Sequence, residues 1–231
     1  VSGKRVAIVQ SSYLPWKGYF DIVHDVDEFI FLDEVQYTVR DWRNRNRIKT
    51  AHGSQWLSVP VGDDRKRLIH EVKPVDATWQ IKHWKSIVGA YGRAPYFSLY
   101  RDFFEEIFMK TRWDSLSHFN QTTTRRIAHE LLGLPTRFVD SRQFEGRGSK
   151  LELILSLLQE AGATSYLSGP SALDYLDAAR FEERSIELRI KQYGYPTYPQ
   201  LHPPFVHEVS VIDLLFNTGP AAASYIWGDR A

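Results

Sequence analysis

Residues 5–34 read RVAIVQSSYLPWKGYFDIVHDVDEFIFLDE, and the order of apolar and polar positions in this stretch decides the fold class. Val6 to Val9 is an unbroken apolar run, the pattern of a strand buried on both faces. Pro15 suits the first turn of a helix, and Phe20, Ile22, Val23 and Val26 give the following turns an apolar face. Phe29 to Leu32 is a second short apolar run. Two strands joined by one helix make a βαβ unit, whose crossover is right-handed in nearly all proteins. Ligands of such units lie at the carboxyl ends of the strands, which predicts a site near Gln10 to Tyr13 and Asp33 to Tyr37.

Downstream, Asn46 to Thr50 and Gln55 to Val61 read as a hairpin turning at Ala51 to Ser54, with Leu68 to Pro74 as a third strand beside it. Helical spacing then covers about 78–91, 98–109 and 115–132, where Gly133 and Pro135 stop it. Thr136 to Asp140 is strand-like, and Ser149 is placed to cap a helix carrying Leu151, Ile154, Leu155 and Leu158. Tyr166 to Ser168 and Glu187 to Tyr193 are the last strands, before a proline-rich loop at 196–204 and a helix over about 209–217. The expected architecture is one α/β domain spanning 1–231. It has a mainly parallel sheet with a Rossmann-like βαβ start, flanking helices, and a helical insertion or cap over about 77–132.

The 231 residues are 43% hydrophobic and 25% charged, an ordinary composition for a water-soluble globular protein. With no cysteine, a thiol nucleophile, a thiolate metal site and a disulfide framework are excluded. The apolar run at Val6 to Val9 is too short for a signal peptide, and no window approaches the roughly 18 apolar residues of a membrane span, so a cytoplasmic protein is expected. A net charge of +1 argues against nucleic acid as the partner. The basic residues are nonetheless clustered: Arg40, Arg43, Arg45, Arg47 and Lys49, followed by Arg65, Lys66 and Arg67. That local field suits an anionic small-molecule substrate, a sugar nucleotide being one candidate.

A generic arginine run is a solvated surface; here Trp42, Asn44 and Asn46 interleave it. Guanidinium groups bind carboxylate or phosphate through paired donors, and asparagine offers donor and acceptor to a hydroxyl or amide. Gln10, Tyr13, Trp16, Tyr19, Gln36, Arg43, Asn44, Arg45 and Asn46 are therefore the expected binding residues, with Asp33, Asp41 and Lys49 as proton-handling groups. His83 joins the catalytic candidates, against the commoner role of a packed helical histidine, and His70 is a weaker one. Ser168, in the turn Ser168, Gly169, Pro170 and Ser171, has amides and hydroxyls where phosphate commonly binds, though a plain tight turn would read the same. Asp174 and Tyr175 follow within reach of the same ligand. His202 sits in a loop stiffened by prolines, a rigid lip for a cleft. Asp213 and Asn217, four apart on one helix, share a face that is open to a cleft or simply solvated. Gly146 to Lys150 lacks the spacing of a phosphate loop and reads as a helix cap. No zinc or calcium signature occurs, so no metal is predicted; ATP or another nucleotide with magnesium stays open as a cofactor.

The segments QSSYLPWKGYFDIV (10–23), FIFLDEVQYTVRDWRNRNRIKT (29–50), HWKSIVGAYGRAPYF (83–97), YLSGPSALDYLD (166–177) and YPQLHPPFVHEVSVIDLLFNTGP (198–220) together resemble the WbqC-like family along nearly the whole chain. Three positions depart from its pattern. Ser11 and Ser12 replace a proline-containing pair, Pro203 and Pro204 replace a glycine-containing variant, and Thr218 stands where the family carries a cysteine, which removes any cysteine-dependent mechanism. Members occur in bacterial O-antigen and other polysaccharide gene clusters. The resemblance implies transfer of glycine or a similar aminoacyl unit onto an amine or hydroxyl of a sugar nucleotide or related metabolite. The layout of Val6 to Leu32 also suggests a second expectation, a nucleotide-using enzyme of nucleotidylyltransferase-like fold. Trp16, Lys17, Gly18 and Tyr19 replace the His-x-Gly-His of that superfamily and remove its phosphate-stabilising histidines. A non-catalytic partner protein is the third class; it predicts an exposed apolar patch and no deep cavity.

Overall fold

The computed structural model describes residues 3–172 and 176–230. The chain opens with β1 (Arg5–Val9), α1 (Lys17–His24) and β2 (Glu28–Phe31), the βαβ unit expected from the sequence. A hairpin of β3 (Arg45–Thr50) and β4 (Gly53–Ser58) follows, then α2 (Thr78–Tyr91), α3 (Phe97–Glu105) and α4 (Leu116–Arg126). The last two each continue for five residues as π-type turns. β5 (Arg137–Asp140), α5 (Leu151–Glu160), β6 (Ser165–Ser168), α6 (Ala178–Glu182), β7 (Glu187–Ile190) and α7 (Val211–Thr218) complete the order.

Five strands form one parallel sheet in the order β5-β2-β1-β6-β7. Successive side chains of a strand point to opposite faces, and the two cores follow that alternation. Ala7, Phe29, Phe31 and Leu167 face a core containing Phe20 and Val23 of α1. Val6, Ile8, Ile30, Val139 and Tyr166 face a second core with Leu155 and Leu158 of α5 and Phe181 of α6. The protein is therefore α/β, with helices on both sides of a parallel sheet. The chain winds outward one way through β2 and β5 and the other way through β6 and β7. The order thus reverses between β1 and β6, where such sheets open a crevice at their carboxyl edge.

The helices α2 to α4 sit on the hairpin and α7, and their rings continue the first core. Tyr13 stacks on Phe119 at 5.3 Å, and Phe97 and Phe104 meet Phe216 of α7 at 5.2 and 5.3 Å. Leu68 to Pro74 is not the strand expected. Residues Ile69–Glu71 form a 3-10 turn, because the amides of Ile69 and His70 bond to the carbonyls of Val35 and Asp33 rather than to the hairpin. Glu71 caps that turn by accepting from the Leu68 amide at 2.7 Å. Ser149 makes no side-chain cap on α5, whose N-cap is Lys150.

Candidate functional site

Where the strand order reverses lies a crevice of about 510 Å³, within the roughly 300–1,000 Å³ typical of small-molecule sites. Its floor is the carboxyl end of β1 (Val9, Gln10, Ser12) and of β6 (Ser168, Gly169, Ser171). Trp16, Tyr19, Ile154, Tyr166, Ala172 and Tyr193 line its walls, together with Arg43, Asn46, Glu208 and the exposed Trp42.

The loop after β1 is held by contacts distant in sequence. Asp33, fully buried at the end of β2, accepts from the Ser11 amide at 2.9 Å, from Gln121 Nε2 at 3.0 Å and from the Ser117 hydroxyl. Tyr13 N–H donates to the Trp42 carbonyl at 2.9 Å. Asn46 Nδ2 donates to the carbonyl of Leu14 at 2.7 Å, and Leu14 adopts a φ of 41°, a left-handed conformation that non-glycine residues keep only under restraint. These bonds fix Gln10 and Ser12 in the crevice before any ligand arrives. Gln121 also bonds Asp140 at 2.8 Å. Burial opposes the ionised form of Asp140, yet hydrogen bonds from Arg142 and Gln121 hold it below the usual carboxylate range.

Arg43 carries the electrostatics. One arm of its guanidinium donates to Gln10 Oε1, its ion-pair carboxylate among the described residues is Asp41 at 4.0 Å, and its buried Nε has no partner among them. Tyr19 donates through its hydroxyl to the Gln10 carbonyl at 3.1 Å, and burial pushes its pKa well up, so it stays protonated. Burial likewise raises Tyr193 to about 12.

The crevice gathers Gln10, Trp16, Tyr19, Arg43, Asn46 and Ser168 from the expected binding set. Tyr13 lies behind it, fully buried and bonded through its hydroxyl to His83 Nδ1 at 2.7 Å. Burial drives His83 down to about 4, so it is a neutral hydrogen-bonding partner at neutral pH. Asn44 donates to the Val59 carbonyl within the hairpin, and Arg45 lies over the Trp56 ring. Gln36 is exposed and bonds the Arg65 carbonyl, and no residue of 33–37 reaches the crevice wall. Asp33, His83 and Lys49 are buried outside that wall, and Asp41 accepts from the Trp42 amide at 2.6 Å. His70 Nδ1 bonds the Asp33 carbonyl, and His202 Nε2 ties its loop to the Ala90 carbonyl of α2. Asp174 and Tyr175 lie outside the described residues.

Asp213 and Asn217 face neither solvent nor the crevice; both are buried. Asp213 accepts from Tyr198, Tyr91 and Gln200 at 2.7 to 2.9 Å, and burial raises its pKa despite these donors. Beside it the Lys17 ammonium sits among the rings of Tyr195, Tyr198 and Phe205, 3.2 Å from His207 Nδ1. Burial there lowers Lys17 to about 8. Sequence reasoning missed Glu208, the one carboxylate on the crevice wall among the described residues, and Tyr193. The signal was a pair of polar residues, His207 and Glu208, directly after a proline-stiffened loop.

Asp21, His24 and Asp25 bring possible metal-ligand atoms within 4.8 Å of one another, but Lys191 and Arg230 already neutralise both carboxylates. No helix among the described residues is long and apolar enough to cross a membrane.

A protein of Mycobacterium tuberculosis (strain ATCC 25618 / H37Rv), named "Uncharacterized protein Rv1507c", is 43% identical over 227 residues, covering 96% of this chain and 97% of its own length. No solved structure matches. The sequence profile of the WbqC-like protein family matches residues 10–225, a span that includes the loop after β1, the carboxyl end of β6 and every lining residue of the crevice except Ile8 and Val9, and the chain belongs to that family.

Proposed function

We propose that the crevice is the active site of a transferase that moves a small acyl or aminoacyl unit, glycine-like in size, onto an amine or hydroxyl of a sugar nucleotide or related anionic metabolite. The observation that carries this reading is Arg43: a largely buried guanidinium at a concave, partly aromatic site, with its one ion-pair carboxylate among the described residues 4.0 Å away. Such a group favours an anionic ligand with paired acceptors.

In the reaction, the acceptor nitrogen or oxygen attacks the acyl carbonyl carbon. The new C–N or C–O bond forms, the bond to the donor's carrier breaks, and the acceptor's proton passes to Glu208. Ser12, Ser168 and Ser171 supply hydroxyls to the bound ligand. Asp33 acts by positioning Gln10 and Ser12 through the Ser11 amide, and His83 by holding Tyr13.

The test is mass spectrometry of a sugar-nucleotide panel incubated with the protein, glycine and ATP, or with preformed glycyl thioesters. A glycyl increment that disappears in Arg43→Ala and Glu208→Gln is expected. Nucleotide consumption without any acyl increment would instead favour an ATP- or other nucleotide-using enzyme, with magnesium arriving on the nucleotide. That second reading is supported by the strand-order reversal and by the Ser168-to-Ser171 turn on the crevice floor. The existence of a deep crevice counts against a purely scaffolding protein.

A further inference from the structure

Trp42 and Trp56 are each 43% exposed, and their rings lie side by side with centroids 5.6 Å apart. Single exposed tryptophans are ordinary, but a contiguous aromatic surface beside a cavity marks a contact area. Trp42 both lines the crevice and is exposed, so the pair continues the crevice lining onto the surface. Its backbone is anchored on both sides, by the amide bond to Asp41 and the carbonyl bond from Tyr13.

Two guanidiniums lie against this surface, and a third, Arg43, lines the crevice together with Trp42. In the hairpin register Arg47 stands opposite Trp56, and the guanidinium carbons of Arg45 and Arg47 lie 4.2 and 5.4 Å from the Trp56 ring centroid. Among the described residues neither has a carboxylate within ion-pair distance, and the buried Nε atoms of Arg43, Arg45 and Arg47 all lack partners. A ligand that is multiply anionic and carries a planar ring engages all of these groups at once. A sugar phosphate has the charge without the plane, and a nucleoside has the plane without the charge.

We propose that the Trp42–Trp56 shelf holds the base of a nucleoside diphosphate group, with its phosphates at Arg43, Arg45 and Arg47 and the remainder of the ligand directed into the crevice. This rests on the reading of the crevice as a site for an anionic metabolite such as a sugar nucleotide, and assigns the subsite of its base and of its phosphates. Base-on-aromatic stacking then accounts for the ring, and paired guanidinium donors for the phosphates.

Calorimetry on the full chain with UDP, CDP, ADP and GDP, against inorganic pyrophosphate, separates the two claims. At least one nucleoside diphosphate should bind about tenfold or more tightly than pyrophosphate. That ratio should collapse toward one in Trp42→Ala and shrink in Trp56→Ala, while circular dichroism and melting curves show both variants folded. Equal binding of pyrophosphate and all four nucleotides, or a ratio untouched by Trp42→Ala, overturns the shelf and leaves the anion-binding crevice standing. Absence of binding by every probe overturns both.

Discussion

Two hollows of nearly equal volume, about 510 and 530 Å³, lie near opposite ends of α1 and differ in how their charges are disposed. In the larger, lined by Arg5, Asp25, Arg189, Lys191 and Arg230, every cation has a carboxylate within 4 Å. Lys191 and Arg230 bind Asp21 and Asp25, Arg5 binds Asp27, and Arg189 lies 3.9 Å from Glu187. Burial alone would raise the Asp25 carboxyl, yet hydrogen bonds from Lys191 and His24 leave it below its ordinary value. At the other end of α1, Arg43 has a carboxylate at 4.0 Å and a neutral amide, Arg45 and Arg47 have no carboxylate within ion-pair distance among the described residues, and the buried Nε atoms of all three are unpartnered. Similar residue types hold the fold together in one place and are left available in the other. A positive patch is therefore informative about ligands only once its internal partners have been counted.

The most damaging way to test the closed hollow is Asp21→Ala. It removes one of the two carboxylates that hold the buried Lys191 and Arg230, leaving both to Asp25, and frees the Tyr195 hydroxyl, so a loss of about 3 kcal/mol in urea unfolding is expected. A change below about 1 kcal/mol would mean that this cluster is not structural. Behind the open hollow, His83 provides a pH-dependent test. Burial lowers its pKa from 6.5 to about 4, so between those values the unfolded chain binds a proton that the folded chain refuses. Stability should rise with pH across that window, by up to roughly 3 kcal/mol. His83→Gln should flatten this part of the stability–pH curve relative to the parent; an unchanged slope would show that His83 titrates freely.

Arg43→Ala probes the open hollow itself. Removing a cation whose side chain is held only by the Gln10 amide and by Asp41 at 4.0 Å should leave the melting temperature within a few degrees. Binding of an anionic ligand should fall about a hundredfold, near 2.7 kcal/mol. Unfolding of this variant would return Arg43 to the structural class of Lys191. The smallest effect is expected from Gly18→Ala, where a Cβ would overlap the Trp16 indole. Helix propensity alone favours alanine by up to about 1 kcal/mol, but displacing Trp16 should reverse the sign, lowering the melting temperature and weakening ligand binding severalfold. A stabilised variant with full affinity would show that the Trp16 wall is adaptable.

Local reading located the crevice but mistook several of its walls. The run from Gln10 to Tyr19 was legible because a loop after a buried parallel strand has a known place in such folds. Arg43 and Asn46 were legible because two polar types alternate with Trp42. Asp33 and His83 carry the right chemistry for catalysis, yet Asp33 is engaged by Ser11, Ser117 and Gln121, and His83 by Tyr13. Those partners are up to 88 positions away in sequence. Leu68 to Pro74 failed as a strand for a related reason: its amides found acceptors at Asp33 and Val35, and strand propensity does not say which acceptors will be near.

What the sequence determined by itself was the class of the fold and the end of the sheet at which the crevice opens, since both depend on the spacing of apolar residues within short segments. Only the tertiary structure decided which cations remain unpaired, which carboxylate reaches the crevice, and that Glu208 and Tyr193 face the loop after β1 from nearly two hundred residues away. Charge availability depends on what the folded chain brings within a few ångströms, and those neighbours are set by packing between distant segments rather than by order along the chain.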